Sequence, residues 1–126
     1  MTTILLVDDD ALQASLMLSI LGQRFGDVCR VTDAAEALCL IEQPEFTSHL
    51  RLVICGHQTP GIGGPAFVSE LRSRMPHLPI LVLGTTAETS ADYAEAHVVF
   101  MAKPFVAERM LSLTRQMLAD QKAPVA

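Results

Sequence analysis

Short apolar runs alternate along this chain with stretches in which apolar residues recur every three or four positions. Such runs predict buried strands, and the periodic stretches predict helices with one apolar side. The predicted strands cover 3–7, 28–31, 51–55, 80–83 and 98–101, and the predicted helices cover about 11–24, 33–43, 65–74, 89–96 and 105–119. Strands and helices in strict alternation predict an α/β fold, in which a doubly wound parallel sheet carries helices on both faces.

The first helix is predicted to follow Asp10, whose carboxylate can cap it. Its apolar residues lie at the spacing of one broad buried face: Leu12, Leu16 and Ile20, together with Met17 and Leu21. Pro44 is expected to end the second helix, because proline disfavours helical geometry in the residue before it. The segment 45–50 is then expected to be a loop.

Length and charge limit the classes of protein that this chain can belong to. Its 126 residues, half of them hydrophobic, fit one domain, predicted over 1–120 with 121–126 as a tail or the start of a linker. A formal net charge of −5 argues against direct binding of nucleic acid. No apolar run approaches the roughly 20 residues of a membrane span, and no signal peptide is apparent. We therefore expect a cytoplasmic protein without a membrane segment.

Three cysteines are widely spaced in apolar surroundings: Cys29, Cys39 and Cys55. Neither a disulfide framework nor a zinc site has this spacing. They are expected to be buried, reduced thiols.

Acidic, small and basic residues follow the predicted strands. In open parallel sheets, ligands bind at the carboxyl ends of the strands. Two carboxylates and a lysine around small residues could bind a divalent cation and a phosphoryl group. In the alternative interpretation the acids only cap the first helix and the lysine is a surface charge. The residues at this edge are Asp8, Asp9, Gly56, Gly84, Thr85 and Lys103.

Three motifs in this order resemble those of a two-component response-regulator receiver domain. Asp8-Asp9-Asp10 follows the first strand, Thr59–Gly64 forms a loop after the third, and Lys103-Pro104-Phe105 follows the fifth. The resemblance extends from about Thr3 to Leu118. It implies a flavodoxin-like sheet of order 2-1-3-4-5, a magnesium site, and phosphorylation of an aspartate by a partner histidine kinase.

The resemblance also assigns roles to single residues, and the phosphoacceptor position falls on Gly56. Asp8 and Asp9 match the acidic pair, with Asp9 as the direct magnesium ligand and the Gln58 carbonyl as a further one. Lys103 matches the lysine that contacts the phosphoryl group and precedes a cis bond to Pro104. Phe100 matches the rotameric aromatic switch, and the switch hydroxyl falls on Gly84, with Thr85 beside it as a substitute.

Glycine has no carboxylate, so ordinary aspartyl phosphorylation at position 56 is predicted to be impossible. Losing this ligand leaves a vestigial magnesium site, and no cofactor is expected to be required. We expect Lys103 to pair with Asp8 or Asp9 instead, because neighbouring carboxylates repel each other. Surviving phosphotransfer onto Asp9 is a weaker alternative.

These residues predict a degenerate receiver, a signalling module of a phosphorelay that acts through protein contacts and has no enzymatic activity. Its expected partners are another signalling protein, a histidine kinase or a fused output domain. The alternative function is a metal or small-anion sensor that uses the acidic pocket with Lys103 and His57 as a further ligand. A lone loop histidine is more often only a surface residue.

The last two predicted helices depart from an ordinary member of that family. The segment between Gly84 and Lys103 is about one helical turn short, which predicts a short or irregular fourth helix. The last helix has a wide apolar surface on which Met110, Leu113 and Met117 are candidates for a contact surface, including one in a homodimer. In the alternative interpretation all three belong to the core.

Overall fold

The computed structural model describes residues 3–57, 62–84, 98–102 and 106–121. Five strands form one sheet. The strands are β1 Thr3–Val7, β2 Asp27–Val31, β3 Leu50–Gly56, β4 Ile80–Gly84 and β5 Val99–Ala102. All four pairings are parallel and the strand order is β2-β1-β3-β4-β5. The flavodoxin-like order predicted from the sequence is therefore confirmed.

Five helices connect or follow the strands in the described residues: α1 Ala11–Phe25, α2 Ala34–Ile41, α3 Pro44–Thr47, α4 Gly64–Arg74 and α5 Ala107–Gln121. As predicted, Asp10 caps α1 by accepting from the backbone N–H groups of Leu12 and Gln13. Asp33 caps α2 by accepting from the N–H of Glu36, and the Glu36 carboxylate accepts in turn from the N–H of Thr32, the residue before the cap.

The sheet is buried on both faces, and alternate residues of each strand enter opposite layers. On one face, β-strand residues such as Val53 and Val82 pack against α2 and α4, including Phe67 and Leu71. On the other face, residues such as Ile54 pack against α1 and α5. Helices cover both faces of the sheet, so the loop residues that follow the strands lie at its carboxyl edge.

The buried face of α1 differs from the predicted one. Leu12 and Leu16 are 82% and 62% exposed, whereas Ala14, Met17 and Leu21 are buried. Apolar spacing in this helix fits two overlapping stripes, and the sheet contacts only the one centred on Ala14, Met17 and Leu21. The prediction that Leu12 and Leu16 are buried is therefore wrong.

Three further predictions need correction. Pro44 starts the short helix α3 because proline suits a first helical turn, so the segment that follows it is partly helical. Met110 and Met117 belong to the core layer beneath α5, so they are not available as an exposed contact surface. Cys39 is exposed, since it lies on the outer side of α2, whereas Cys55 is buried as expected.

The predicted fourth helix, 89–96, lies outside the described residues. Helix α5 runs one residue past the predicted domain boundary at 120, and that boundary stays a prediction. In the described part of the chain, no helix has both the length and the apolar character that crossing a membrane would need.

Candidate functional site

The ends of three neighbouring strands bring three of the predicted site residues, Asp8, Gly56 and Gly84, to one edge of the sheet. Val7 of β1 is paired with Cys55 of β3, so Asp8 and Gly56 are the next positions on adjacent strands. Gly56 is in turn paired with Leu83 of β4. The glycine therefore lies between the acidic end of β1 and the small-residue end of β4.

Asp8 is held by several hydrogen bonds and is half-buried. Its Oδ1 accepts from the backbone N–H of Asp10 at 2.9 Å, and its Oδ2 accepts from the side-chain amide of Gln13 at 2.8 Å. Arg30 of β2 donates from Nε to the Asp8 carbonyl at 3.0 Å. Both carboxylate oxygens thus have partners inside the protein, which satisfies this partly desolvated group.

Sequence reasoning missed Gln13 and Arg30 as residues that position Asp8. Gln13 lies in the first turn of α1, which brings its amide back over the end of β1. Arg30 comes from the neighbouring strand, where Leu6 is paired with Arg30 one step before the strand ends. Of the two, only Gln13 could have been identified from the sequence, because it is a polar residue in the first turn of a helix capped by Asp10.

The other two acids of the motif are exposed. The Oδ1 of Asp10 is occupied by the cap of α1, at 3.0 Å from the Leu12 nitrogen and 3.1 Å from that of Gln13. Asp9 lies between Asp8 and the cap and faces solvent. The helix cap is therefore Asp10, as predicted separately, whereas Asp8 is held by the same turn through the N–H of Asp10.

The loop after β3 is closed by main-chain bonds at His57. The N–H of His57 donates to the Leu83 carbonyl, and its own carbonyl accepts from the N–H of Gly64, both at 2.9 Å. Gly64 is the first residue of α4. The loop that begins at the Gly56 position is therefore tied at both ends to β4 and α4, which fixes where the strand ends.

Gly84 and Phe100 lie on the two strands beyond β3. Gly84 is the last residue of β4 and is paired with Ala102. Phe100 is paired with Val82 and is half-buried against the layer that contains α2 and α4. Four other predicted site residues lie outside the described residues: Gln58, Thr85, Lys103 and Pro104. The predicted ion pair between Lys103 and the acids accordingly stays a prediction.

The described residues at this edge provide few oxygen ligands for a metal ion. Both carboxylate oxygens of Asp8 accept hydrogen bonds from groups inside the protein, and Gly56 has no side chain that could contribute a ligand. The described segments contain no group of three or more His, Cys, Asp or Glu residues placed to hold an ion. Magnesium prefers oxygen ligands at near-octahedral positions, and the exposed carboxylate of Asp9 can supply only part of such a set.

Cys55, directly before Gly56, is fully buried, and burial raises the pKa of its thiol to about 12 because desolvation penalises the thiolate. In the unfolded chain this thiol ionises near its ordinary pKa of about 8.5. Above that pH the unfolded state loses a proton that the native state keeps, so stability is full at lower pH and falls as pH rises.

We therefore expect unfolding midpoints in denaturant to drop between pH 9 and 11, with a shallower drop in Cys55→Val. In the same protein, Cys39 should react with a thiol reagent in the native state and Cys55 only on unfolding. An identical pH dependence in both proteins would contradict this prediction.

Comparison with known proteins agrees with this geometry. A family model described as response regulator receiver domain matches residues 4–115. The response regulator protein FleR of Pseudomonas aeruginosa is 35% identical over 118 residues, which are 87% of this chain and 23% of FleR. The hydrogenase transcriptional regulatory protein HoxA of Cupriavidus necator is 27% identical over 124 residues, which are 94% of this chain and 24% of HoxA.

Solved structures have the same fold. A putative response regulator from Chloroflexus aurantiacus is 29% identical with a TM-score of 0.80, covering 94% of this chain and 98% of that one. A CheY-like receiver domain protein from Methanospirillum hungatei has a TM-score of 0.86 at 21% identity, covering 97% of each chain. The present chain spans about a quarter of the length of the curated relatives it matches.

Proposed function

Because this chain belongs to the response regulator receiver domain family of two-component signal transduction, we propose that it is a receiver that signals without phosphorylation at position 56. The observation that carries the proposal is the place of Gly56, beside Asp8 at the carboxyl edge of the sheet. An aspartyl phosphate needs a carboxylate nucleophile. Glycine at this position offers none.

The state of Asp8 supports the same proposal. Its carboxylate is engaged by Gln13 and by the backbone of Asp10 instead of being open towards a ligand. Such a network holds the first turn of α1 in one arrangement. We propose that the module signals by this fixed conformation or by binding another protein, with no resident metal required and only weak binding of magnesium.

The partner is proposed to be an output domain in the same polypeptide or a separate signalling protein. The relatives support this class of partner, since FleR and HoxA are about four times longer than the part that this chain matches. The printed name of HoxA describes a transcriptional regulator. Contact with a histidine kinase, a cytoplasmic location and the absence of enzymatic activity belong to the same proposal.

The test is incubation with acetyl phosphate and Mg²⁺, followed by intact-mass measurement at neutral pH. We expect no mass increase of one phosphoryl group, whereas an ordinary receiver with an aspartate at this position, treated in parallel, should gain one. A labile adduct on the unmodified chain would overturn the proposal. If it appeared and Asp9→Asn removed it, the nucleophile would be Asp9, the alternative that the sequence left open.

The metal- or anion-sensing alternative is not favoured by the described residues, because Asp8 is already satisfied internally. A ligand that binds only the folded state must raise the melting temperature. We therefore expect millimolar Mg²⁺ or phosphate to leave the melting temperature unchanged.

A further inference from the structure

The buried side of α5 contains a hydroxyl group without a hydrogen-bond partner. Thr114 is 0% exposed, and its Oγ1 bonds to no atom in the described part of the chain. A helical threonine often satisfies this hydroxyl on the carbonyl four residues earlier. A buried polar group left unpaired carries the full penalty of leaving water. The closed position of α5 on the sheet is therefore less favourable than its apolar contacts alone would make it.

The rest of the buried side of α5 is made of flexible side chains. Met110 and Met117 lie on the same stripe, four residues before Thr114 and three after it, and both are buried in the layer beneath α5. The residues that flank the stripe are only half-buried: Leu111, Leu113 and Leu118. A methionine side chain is unbranched and has three rotatable bonds, so it fits several arrangements of its neighbours. Such contacts hold α5 closed without fixing it in one arrangement.

The other long helices are attached to the sheet more firmly. Each of them buries at least one branched aliphatic or aromatic side chain, namely Leu21 in α1, Ile41 in α2, and Phe67 and Leu71 in α4. These three helices also belong to crossovers that join two strands of the sheet. Helix α5 follows β5, after the fifth strand of the sheet. Opening α5 therefore separates no pair of strands.

Two features of the closed form lower the free energy needed to open α5. When the helix leaves the sheet, the Thr114 hydroxyl regains hydrogen bonds to water and the methionine side chains regain rotamer freedom. These gains offset part of the apolar contact that α5 loses with β3 and α1. A segment whose opening is compensated in this way opens before the whole domain unfolds.

We propose that α5 is a detachable helix, which the unpaired Thr114 hydroxyl and the methionine contacts allow to open as one unit while the sheet and the other helices stay folded. The open form exposes Met110, Met117 and the part of β3 that α5 covers. A molecule that binds only this form would shift the chain towards it. The inference goes beyond the proposed function and does not depend on it, since it needs no property of Gly56.

The first experiment is native-state amide hydrogen exchange, read by mass spectrometry in peptides from 107–119 and from strands β1 and β3. We expect the protection of the α5 amides to be lower than that of the strand amides by roughly tenfold or more. Ile80→Val shortens a fully buried side chain in the opposite layer. It should speed exchange in the strands about twofold to tenfold and leave exchange in α5 unchanged, because α5 opens without unfolding that layer.

The second experiment removes the unpaired hydroxyl. Thr114→Val keeps the shape of the side chain and should slow exchange in α5 roughly tenfold, because the closed form no longer carries a buried unpaired group. Thr114→Ser is the matched control, since it keeps the hydroxyl and should not slow exchange. Thr47→Val removes a hydroxyl that bonds to main-chain carbonyls in α3, and it should leave exchange in α5 unchanged.

Oxidation of methionine provides a readout that does not involve amide exchange. Hydrogen peroxide transfers one oxygen atom to an accessible thioether, forming the sulfoxide and water. Met110 and Met117 should be oxidised slowly in the native protein, and Thr114→Val should lower that rate by the factor measured for exchange. Met75, which is half-buried at the end of α4, should react equally fast in both proteins.

Each outcome decides for or against the detachable helix. Equal protection of α5 and the strands, with Ile80→Val speeding exchange in both, would overturn the proposal, because α5 would then open only when the whole domain unfolds. Exchange in α5 that Thr114→Val leaves unchanged or speeds would overturn the role of the hydroxyl. If Thr114→Val did not fold, the Ile80→Val comparison would decide the proposal by itself.

Discussion

Gly56→Asp is expected to turn a chain that acetyl phosphate does not modify into one that carries a labile phosphoryl adduct. The substitution places a carboxylate nucleophile at the end of β3, next to Asp8. It also adds a third carboxylate to the acidic pair, which should improve magnesium binding. The expected change runs from no detectable adduct to a measurable labelled fraction by intact mass.

Gly56→Asn is the matched control, since the amide has the shape of aspartate without its nucleophilic oxygen. It should stay unmodified under the same conditions. Adding Gln13→Ala to Gly56→Asp should increase labelling, because it removes the amide that holds the Asp8 Oδ2 at 2.8 Å. Equal adducts on the aspartate and asparagine variants would mean that phosphorylation occurs at another residue.

Leu71→Ala is expected to be strongly destabilising, whereas Leu16→Ala, the same chemical change on α1, should have almost no effect. Leu71 is completely buried between α4 and the sheet, and Leu16 is 62% exposed. Truncating a buried leucine costs about 2–5 kcal/mol from lost transfer energy and the cavity left behind. At an exposed position the change is within about 0.5 kcal/mol.

The measurement is denaturant unfolding of both variants at the same protein concentration. In thermal melts, the buried substitution should lower the midpoint by roughly 10 °C or more for a domain of this size. Similar losses in the two variants would contradict the assignment of α1's outer face to solvent.

The sequence predicted most of the fold because its strands are short, strongly apolar and bounded by polar or glycine-rich turns. A strand as apolar as Ile80–Gly84 is expected to be buried on both faces, as the strands of parallel sheets are. The crossover between two parallel strands then contains a helix that covers the sheet. Helix starts were also predictable where a local side chain caps the backbone, as Asp10 does for α1. These features depend on residues close together in the chain.

The site was predictable in part for the same reason. Asp8 and Gly56 end consecutive apolar runs, so their meeting at one edge follows from the parallel sheet. The state of Asp8 was not predictable, because its partners include Arg30 from a neighbouring strand. A contact between residues 22 positions apart depends on strand register, which the local pattern does not contain.

The sequence by itself determined the fold class, the family resemblance and the absence of a carboxylate at Gly56, since these depend on residue identity and order along the chain. Only the tertiary structure decided which side of α1 is buried and that Arg30 of β2 donates to the Asp8 carbonyl. The apolar residues of α1 cover two stripes. The sheet and α5 bury only one of them, and this leaves Leu12 and Leu16 at the surface.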